Sequence, residues 1–295
     1  MSPEAATLYA ALITLAGTIA AVFIQQWPGR RPPRLGPEST RPDSPPIQTR
    51  LDRVLTDRTL RCGCVKHPPL ADFQHSGNDC LCSGLYVDLA HAVASTSGLS
   101  LEFIAVDWAD LPSSFTDLEL DLVLSVFETK TRLLYGDFVS AFHKIGVGGV
   151  SAVDSDKVQS VTDLGNADVR IVVARGEAGW EYAVQELRVP KHRLIVVENA
   201  SLPELMDYVV TGRVDVAICD DWSCHEGVTR NPGLKHIFVN DPLYLCKNAI
   251  MVPKGDPEFA AWVDEVFSEA RLRPDLIAEE VRILAATNGL IRRFR

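Results

Sequence analysis

The sequence lacks the short motifs that mark several common enzyme classes. It has no Walker P-loop, no G-x-G-x-x-G after a predicted strand, no H-E-x-x-H and no G-x-S-x-G. These absences argue against P-loop nucleotide hydrolysis, dinucleotide binding, zinc proteolysis and α/β-hydrolase chemistry. Net positive charge is also lacking: the formal charge is −10, whereas binding to nucleic-acid phosphates needs a basic surface. We therefore expect no nucleic-acid partner.

What is present is the composition of a folded globular protein. The 295 residues are 46% hydrophobic and 23% charged, with both signs represented. That balance is typical of a chain with a packed core rather than of a disordered one. The length suits one large domain or two ordinary domains.

The N-terminal stretch Ala5–Trp27 contains no charged residue. At about 1.5 Å per residue, a helix of this length can cross a hydrocarbon core of about 30 Å. A cleaved signal peptide is an alternative, but the usual basic start and small-residue cleavage site are missing; a misassigned start site is another. We predict that residues 1–27 form a transmembrane anchor.

The orientation of that anchor stays open. Arg30, Arg31 and Arg34 follow the apolar stretch and no basic residue precedes it, which favours a cytoplasmic position for the rest of the chain. The function inferred below favours a periplasmic or extracellular binding domain instead. Residues 28–50 are rich in proline and polar residues, and this composition predicts an extended, semi-rigid linker. The folded part is predicted to begin near Leu51.

From Thr59 onward, short apolar runs typical of strands alternate with helical patterns. The predicted order is strand "LRCGCV", helix "GLYVDLAHAVAST", strand "LSLEFIAV", helix "WADLPSSFTD" and strand "LDLVLSV". This βαβαβ order predicts a parallel sheet with helices on both faces, which is an α/β fold.

A second series has the same design. Its strands are "VRIVVA", "RLIVV" and "VDVAICD", with helices in "GEAGWEYAVQEL" and "LPELMDYVVTG". The segment "NAIMVPKGDPEFAAWVDEVFSEA" predicts a strand and a long helix, and the final "RPDLIAEEVRILAATNGLIRRFR" predicts a helix with a basic tip. We predict two lobes, residues 51–143 with 245–295 and residues 144–244, joined by two crossings near His143–Val150 and Pro242–Ala249.

Six pieces of sequence, in one order, resemble a known family. They are "LRCGCVKHPPL", "GLYVDLAHAVA", "VDWADLPSSFTDLELDLVLS", "TKTRLLYGDF", "GRVDVAICD" and "MVPKGDPEF". Together they are similar to the amino-acid-type extracellular solute-binding proteins of ABC importers, family 3. The resemblance implies a two-lobed type II periplasmic-binding-protein fold. It also implies capture of a small zwitterionic solute, an amino acid, for an ABC permease or a sensor.

The resemblance implies ligand contacts at particular positions of this chain. Arg132 stands where relatives bind the ligand carboxylate, for which a guanidinium is a planar, forked donor. Thr129, in the same "TKTR" element, either orients Arg132 or donates to the carboxylate, and Ser125 precedes that element. Asp220 matches the residue that binds the ammonium. Its alternative role is to cap the following helix, and Asp221 competes for both roles.

Further candidates match aromatic or polar positions of the family. Trp108 and His67 stand where aromatic residues pack on the ligand, although a core tryptophan and a solvated loop histidine are the alternatives. Phe127, Glu177 and Ala178 occupy positions where relatives often carry hydroxyl side chains that help to hold the carboxylate. These three departures leave the class of ligand less certain than the fold.

Four of the seven cysteines lie close together in the sequence: Cys62 and Cys64 in a strand, and Cys80 and Cys82 in the next loop. In an oxidising compartment a disulfide between strand and loop is possible. Reduced, partly buried thiols are the main alternative. A metal site is less expected because structural zinc sites usually show C-x₂-C spacing.

The leading hypothesis is therefore a membrane-tethered binding protein without catalytic activity, cofactor or metal. A second hypothesis is an enzyme on the same fold that resembles periplasmic cyclohexadienyl dehydratase, with Glu177 and His67 as acid and base. A third is a sensing or assembly module whose amino-acid site has decayed.

Overall fold

The computed structural model describes residues 49–76, 79–117 and 119–294. Seven α-helices occur among them: α1 (Arg50–Asp57), α2 (Leu85–Ser97), α3 (Ala178–Glu181), α4 (Leu202–Val210), α5 (Asp221–Arg230), α6 (Pro257–Ala270) and α7 (Pro274–Ala286). The strands are β1 (Thr59–Cys64), β2 (Asp72–Ser76), β3 (Asp79–Ser83), β4 (Ser100–Ala105), β5 (Leu122–Phe127), β6 (Gly136–Ala152), β7 (Ile171–Ala174), β8 (Leu194–Val197), β9 (Val216–Asp220), β10 (Leu234–Ile237), β11 (Tyr244–Pro253) and β12 (Ile291–Arg293). Short 3₁₀ helices span Trp108–Ser113, Arg132–Leu134 and Val161–Gly165, and a π-helical turn spans Tyr182–Glu186.

One sheet runs through the described part of the chain in the order β4-β1-β5-β11-β6-β9-β7-β8, and β10 and β12 pair with β6. Strands β1, β4 and β5 are mutually parallel, as are β7, β8 and β9. We call these groups the first lobe and the second lobe. Strand β5 is buried along its whole length, as expected for a central parallel strand covered on both faces. The predicted two-lobed α/β fold is confirmed.

The two groups of strands are joined by the long antiparallel pair β6 and β11. Their register runs from Pro253 opposite Gly136 to Tyr244 opposite Val147. The predicted crossings lie in these two strands. The lobe boundaries at residues 143/144 and 244/245 stay a prediction.

Strand β6 contains glycines because a buried carboxylate packs against it. A Cβ atom on Gly148 would lie 2.8 Å from His236 Nε2 and would also overlap the Asp221 carboxylate. Gly146 faces the other oxygen of the same carboxylate. These glycines therefore make room for Asp221 inside a regular strand.

The C-terminal segment is fastened to β6 through one buried carboxylate. Glu280 is 2% exposed and accepts hydrogen bonds from His143 Nε2 at 3.0 Å, Arg271 at 2.7 Å and Arg293 at 2.5 Å. Burial alone would raise the pKa of Glu280, but these hydrogen bonds outweigh it and lower the pKa to about 2. This cluster connects α6, α7 and β12 to the central strand.

Three predicted elements differ from the structure. The helix predicted at "WADLPSSFTD" is only a 3₁₀ turn at Trp108–Ser113, which contains Pro112; proline lacks the N–H that a longer helix requires. The helix predicted from Gly176 is one α-turn, Ala178–Glu181, continued by a π-helical turn. The basic tip of the last predicted helix is strand β12 instead, which pairs with Ile145, Lys144 and His143.

The anchor predicted for residues 1–27 lies outside the described residues, as does the linker up to residue 48. Within residues 49–294, apart from 77, 78 and 118, no helix is both long and apolar enough to span a bilayer. The last two residues of the predicted linker belong to the folded part. Thr49 caps α1 in a capping box with Asp52, and Arg50 is the first residue of that helix.

Candidate functional site

A small enclosed space of about 30 Å³ lies where strands of the two lobes end, and we call it the floor of the cleft. Its lining residues are Lys66, His67, Trp108, Phe127 and Arg132 from the first lobe and Glu177, Ala178, Asp220 and Ser223 from the second. Ligands of α/β proteins bind at such carboxyl ends of strands. The structure therefore brings most of the sequence-predicted site residues together. Thr129 and Ser125 lie behind the floor and contact lining residues instead.

Arg132 is fully buried and joins the two lobes directly. Its Nε donates to Glu181 Oε1 at 3.0 Å, and one terminal nitrogen donates to the carbonyl oxygen of Gly176 at 2.7 Å. Both partners belong to the second lobe. The other terminal nitrogen donates to the carbonyl oxygen of Phe127 at 3.1 Å. Three of the five N–H groups of this guanidinium thus have partners within the chain.

Thr129 orients the backbone that carries Arg132. Its hydroxyl oxygen accepts a hydrogen bond from the backbone N–H of Arg132 at 3.2 Å, which corresponds to the first of its two predicted roles. The guanidinium lies 5.1 Å from the centre of the Trp108 ring, a distance at which a cation is attracted to an aromatic face. Trp108 therefore supports Arg132 as well as lining the floor.

Glu181 is a residue of this site that sequence reasoning missed. It lies in the first turn of α3 and is 6% exposed. The backbone before that helix approaches the first lobe closely: Gly176 has φ of +79°, and a Cβ there would lie 2.6 Å from the carbonyl carbon of Trp108. Glu181 could have been found in advance only by looking for a carboxylate partner for a buried arginine in the cleft.

His67 is held by its Nδ1 atom, and the residue lines the floor. Nδ1 lies 3.0 Å from Ser125 Oγ and 3.0 Å from the side-chain amide of Asn248. Nε2 is buried and has no partner among the described residues. Burial lowers the pKa of His67, against an opposing effect of Asp220, so the ring is neutral near pH 7.

Ser125 has positive φ, +60°, inside strand β5. This conformation is unfavourable for a residue with a side chain and is found most often at functional sites. Its hydroxyl contacts both His67 and Asn248, the latter at 3.1 Å. Asn248, on β11, was not predicted, because a polar residue in a strand pattern gives no indication of what it faces.

Asp220 lines the floor and caps α5 at the same time. Its Oδ1 accepts from the Ser223 backbone N–H at 3.0 Å, and its Oδ2 accepts from the Ser223 hydroxyl at 2.6 Å. Asp221, the predicted competitor, points elsewhere: it is buried beside His236, with Oδ1 3.1 Å from Nε2. Of the two aspartates, only Asp220 faces the space between the lobes.

Glu177 and Ala178 form the second-lobe wall at the start of α3. Glu177 is partly buried and makes no side-chain cap of its helix. Loss of hydration raises the pKa of Glu177 to about 8, and the nearby Asp220 carboxylate adds to the effect, while Arg132 opposes it. This carboxyl group is therefore largely protonated at neutral pH, and it does not repel a ligand carboxylate there.

A wider space of about 670 Å³ adjoins the floor and shares Lys66, Trp108, Glu177 and Ser223 with it. Apolar side chains from both lobes contribute to its walls, among them Phe73 and Leu202. A molecule held at the floor by polar groups therefore has room to extend outward along a partly apolar surface.

The four cysteines considered for a disulfide gather around the β2–β3 hairpin. Cys80 Sγ lies 3.4 Å from Cys82 Sγ, which is hydrogen-bond spacing rather than the ~2.05 Å of a covalent bond. The Cys82 thiol also contacts the Cys64 thiol, and burial raises the pKa of Cys62. All four are free thiols in the structure, which corresponds to the alternative of reduced, partly buried thiols. No cluster of three or more metal-ligating groups occurs within the described residues.

Comparison with known proteins agrees with this geometry. Residues 60–276 match the bacterial extracellular solute-binding proteins, family 3, and the chain belongs to that family. Cyclohexadienyl dehydratase of Pseudomonas aeruginosa is 22% identical over 222 residues, which are 74% of this chain and 80% of the relative.

Two solved structures share the fold at low sequence identity. A histidine kinase sensor domain with similarity to periplasmic binding proteins has a TM-score of 0.64 at 18% identity, covering 76% of this chain and 95% of its own. The L-cysteine solute receptor of Neisseria gonorrhoeae has a TM-score of 0.64 at 17% identity, covering 80% and 94%. These likenesses support the two-lobed fold.

Proposed function

We propose that this protein captures an amino acid between its two lobes and delivers it to an ABC-type importer or to a sensor. The observation that carries the proposal is the floor of the cleft, where Arg132 of the first lobe and Asp220 of the second line one small space. A guanidinium suits a carboxylate and an aspartate suits an ammonium. One zwitterion that contacts both residues would therefore bind both lobes.

The remaining floor residues suit the rest of such a ligand. Trp108 and Phe127 offer aromatic surface, and the free Nε2 of His67 offers one polar contact. The wider space of about 670 Å³ accommodates a side chain. Family membership supports solute capture. One solved structure of this fold is a solute receptor for L-cysteine and another is a histidine kinase sensor domain, which supports proposing either an importer or a sensor as the recipient.

Calorimetry with the twenty amino acids tests this proposal. For any amino acid that binds, Arg132→Ala should weaken binding by roughly 2–5 kcal/mol, because a desolvated carboxylate loses its partner. Arg132→Lys keeps the charge without the forked donor and should weaken binding less. Lys130→Ala, at an exposed neighbour, is the control and should leave affinity unchanged. Full affinity in Arg132→Ala, or no binding of any amino acid by the wild type, would refute the proposal; the second result would favour an assembly module.

We propose that the binding domain lies outside the cytoplasm, where residues 1–27 tether it to the membrane and permease subunits can reach it. The uncharged stretch Ala5–Trp27 supports the tether, and the family supports the location. The full chain should fractionate with membranes and a chain lacking residues 1–27 should not. Protease added to spheroplasts should degrade the domain; a protected domain would place it in the cytoplasm.

A second candidate is an enzyme of the dehydratase type, and Glu177 favours it. A carboxyl group with a pKa of about 8 can donate a proton to a leaving hydroxyl at neutral pH. His67 is neutral and lines the same floor; with Nδ1 donating to the carbonyl oxygen of Ser125 at 3.3 Å, its Nε2 can accept a proton as the base. Elimination of water from a cyclohexadienyl compound yields an aromatic ring, so turnover is visible as new ultraviolet absorbance. Loss of that signal in Glu177→Gln would support the enzyme, and no signal in the wild type would exclude it for the compound tested.

A further inference from the structure

The chain supplies its own carboxylate to Arg132, the residue proposed above to bind the ligand carboxylate. Glu181 Oε1 lies 3.0 Å from Arg132 Nε, and the two side chains are almost completely buried. Because the pair is shielded from water, its attraction is far stronger than that of an exposed pair. A buried charge left without its partner is strongly destabilising, so the state in which Arg132 is released from Glu181 is a minor one.

The pair also holds the lobes together. Arg132 belongs to the turn after β5 in the first lobe, and Glu181 belongs to α3 in the second. The carbonyl of Gly176, also in the second lobe, takes another guanidinium nitrogen at 2.7 Å. A ligand carboxylate that approaches Arg132 therefore meets a like charge already in contact with the guanidinium, and two carboxylates at one site repel each other.

We propose that Glu181 determines ligand affinity as an internal competitor: a ligand carboxylate binds by taking the place of Glu181 on Arg132. This inference rests on the proposed function, since it names the residue that regulates the same site. The apparent association constant of the ligand then equals the intrinsic association constant multiplied by the fraction of molecules in which Arg132 is released from Glu181. If Glu181 instead orients Arg132 for the ligand, the Glu181→Gln variant should bind amino acids more weakly than the wild type.

The chain offers a matched control on the same segment. Glu186 lies five residues after Glu181 and also pairs across the lobes, with Lys130 at 2.7 Å. That pair is exposed, with side-chain exposures of 48% and 75%, and exposed pairs contribute little. Glu186→Gln therefore removes a negative charge and a contact between the lobes without freeing Arg132.

The test is calorimetry with wild type, Glu181→Gln and Glu186→Gln. The probes are the twenty amino acids and, for each that binds, the amine that lacks the carboxylate. Glu181→Gln should tighten amino-acid binding by about tenfold or more, because the competing charge is gone and the amide still accepts from Nε. Amine binding and the Glu186→Gln variant should stay within about threefold of wild type.

The outcomes separate this inference from the proposed function. Amino-acid affinity that is unchanged or lower in Glu181→Gln overturns the inference alone, since the wild type still binds. Equal tightening for amino acids and amines also overturns it, because the carboxylate is then irrelevant. No binding of any amino acid by the wild type or by any variant overturns both proposals. If Glu181→Gln does not fold, Glu181→Asp takes its place in the test. The shorter aspartate side chain should tighten amino-acid binding by a smaller factor than glutamine would. An affinity unchanged from wild type in Glu181→Asp overturns the inference.

Discussion

Replacing Glu177 by glutamine should stabilise the protein in a pH-dependent way. Glu177 lies at the start of α3, partly buried, where loss of hydration and the neighbouring Asp220 raise its pKa from 4.5 to about 8. In the folded state the group therefore keeps its proton at neutral pH. In the unfolded chain it is ionised above its ordinary pKa of 4.5. The folded state must take up a proton that the unfolded state has lost, and this costs stability.

The sign and the magnitude follow from the two pKa values. Between pH 4.5 and pH 8 the folded state binds one more proton than the unfolded state, so the free energy of unfolding falls as pH rises. Each pH unit in that window removes about 1.4 kcal/mol. At pH 7 the full cost would be about 3 kcal/mol. Because the side chain still faces water in the cleft, solvent screening reduces the expected cost to as little as roughly half of that value. Below pH 4.5 both states are protonated and the cost disappears.

Urea denaturation of wild type and Glu177→Gln between pH 4 and pH 8 measures this difference. The variant should be more stable by about 1.5–3 kcal/mol at pH 7 and nearly equal to wild type at pH 4. Glu204→Gln, at an exposed position in the same lobe, should change stability by no more than about 0.5 kcal/mol at either pH. The reasoning is wrong if Glu177→Gln is destabilised at pH 7, or if its stability relative to wild type does not vary with pH.

Two further predictions concern stability away from the cleft. Glu280→Gln should lower the free energy of unfolding by about 3–5 kcal/mol at pH 7, because it removes the charge from a buried cluster. Glu279→Gln, at the partly exposed neighbour that pairs with Arg282 on the surface, should cost at most about 1 kcal/mol. Because the pKa of Glu280 is lowered to about 2, that difference should shrink as pH falls from 5 towards 2, and a constant difference would contradict it. Gly148→Ala should lower the free energy of unfolding by about 1–3 kcal/mol, since the added Cβ meets the Asp221 carboxylate. The control is Gly233→Ala, whose Cβ meets nothing within 4 Å and which should be neutral. Equal melting temperatures for the two alanine variants would refute the packing argument.

Elements with a strong local pattern were predictable from the sequence. Strand β5 and helix α2 carry their own evidence, an unbroken apolar run in one case and buried residues at helical spacing in the other. Helix α2 also ends where Gly98 adopts the left-handed conformation, which glycine reaches without strain. The short elements were less predictable, because hydrophobic periodicity does not indicate the 3₁₀ turn that contains Pro112 or the π-helical turn at Tyr182–Glu186.

The individual residues of the site could be predicted from the sequence, but their contacts with one another could not. Position in a family motif identified Arg132, Asp220 and His67 as residues near the ligand, and all three line the floor. Their partners are 49 residues away for Arg132 and 181 residues away for the contact of His67 with Asn248. No local spacing encodes such contacts, because they depend on how two lobes meet.

The same limitation applies to the charges of the cleft. Three neighbouring carboxylates, Glu177, Asp220 and Asp221, would repel one another if all were charged and faced the same space. In the structure Asp221 faces His236, and the pKa of about 8 leaves Glu177 mostly uncharged at neutral pH. The repulsion is therefore largely absent.

Arg132 contributes buried contacts with the second lobe to the balance between open and closed lobes. A floor of about 30 Å³ has room for little more than a water molecule, so an amino acid reaches Arg132 only after the lobes separate. Separation breaks the buried pair with Glu181, and the association rate should accordingly be limited by that step and not by diffusion. Stopped-flow binding to Glu181→Gln should then be faster than to wild type, with dissociation changed less. If the association rate is the same in both, the pair is already broken when the ligand arrives, and Glu181 acts only on the bound complex.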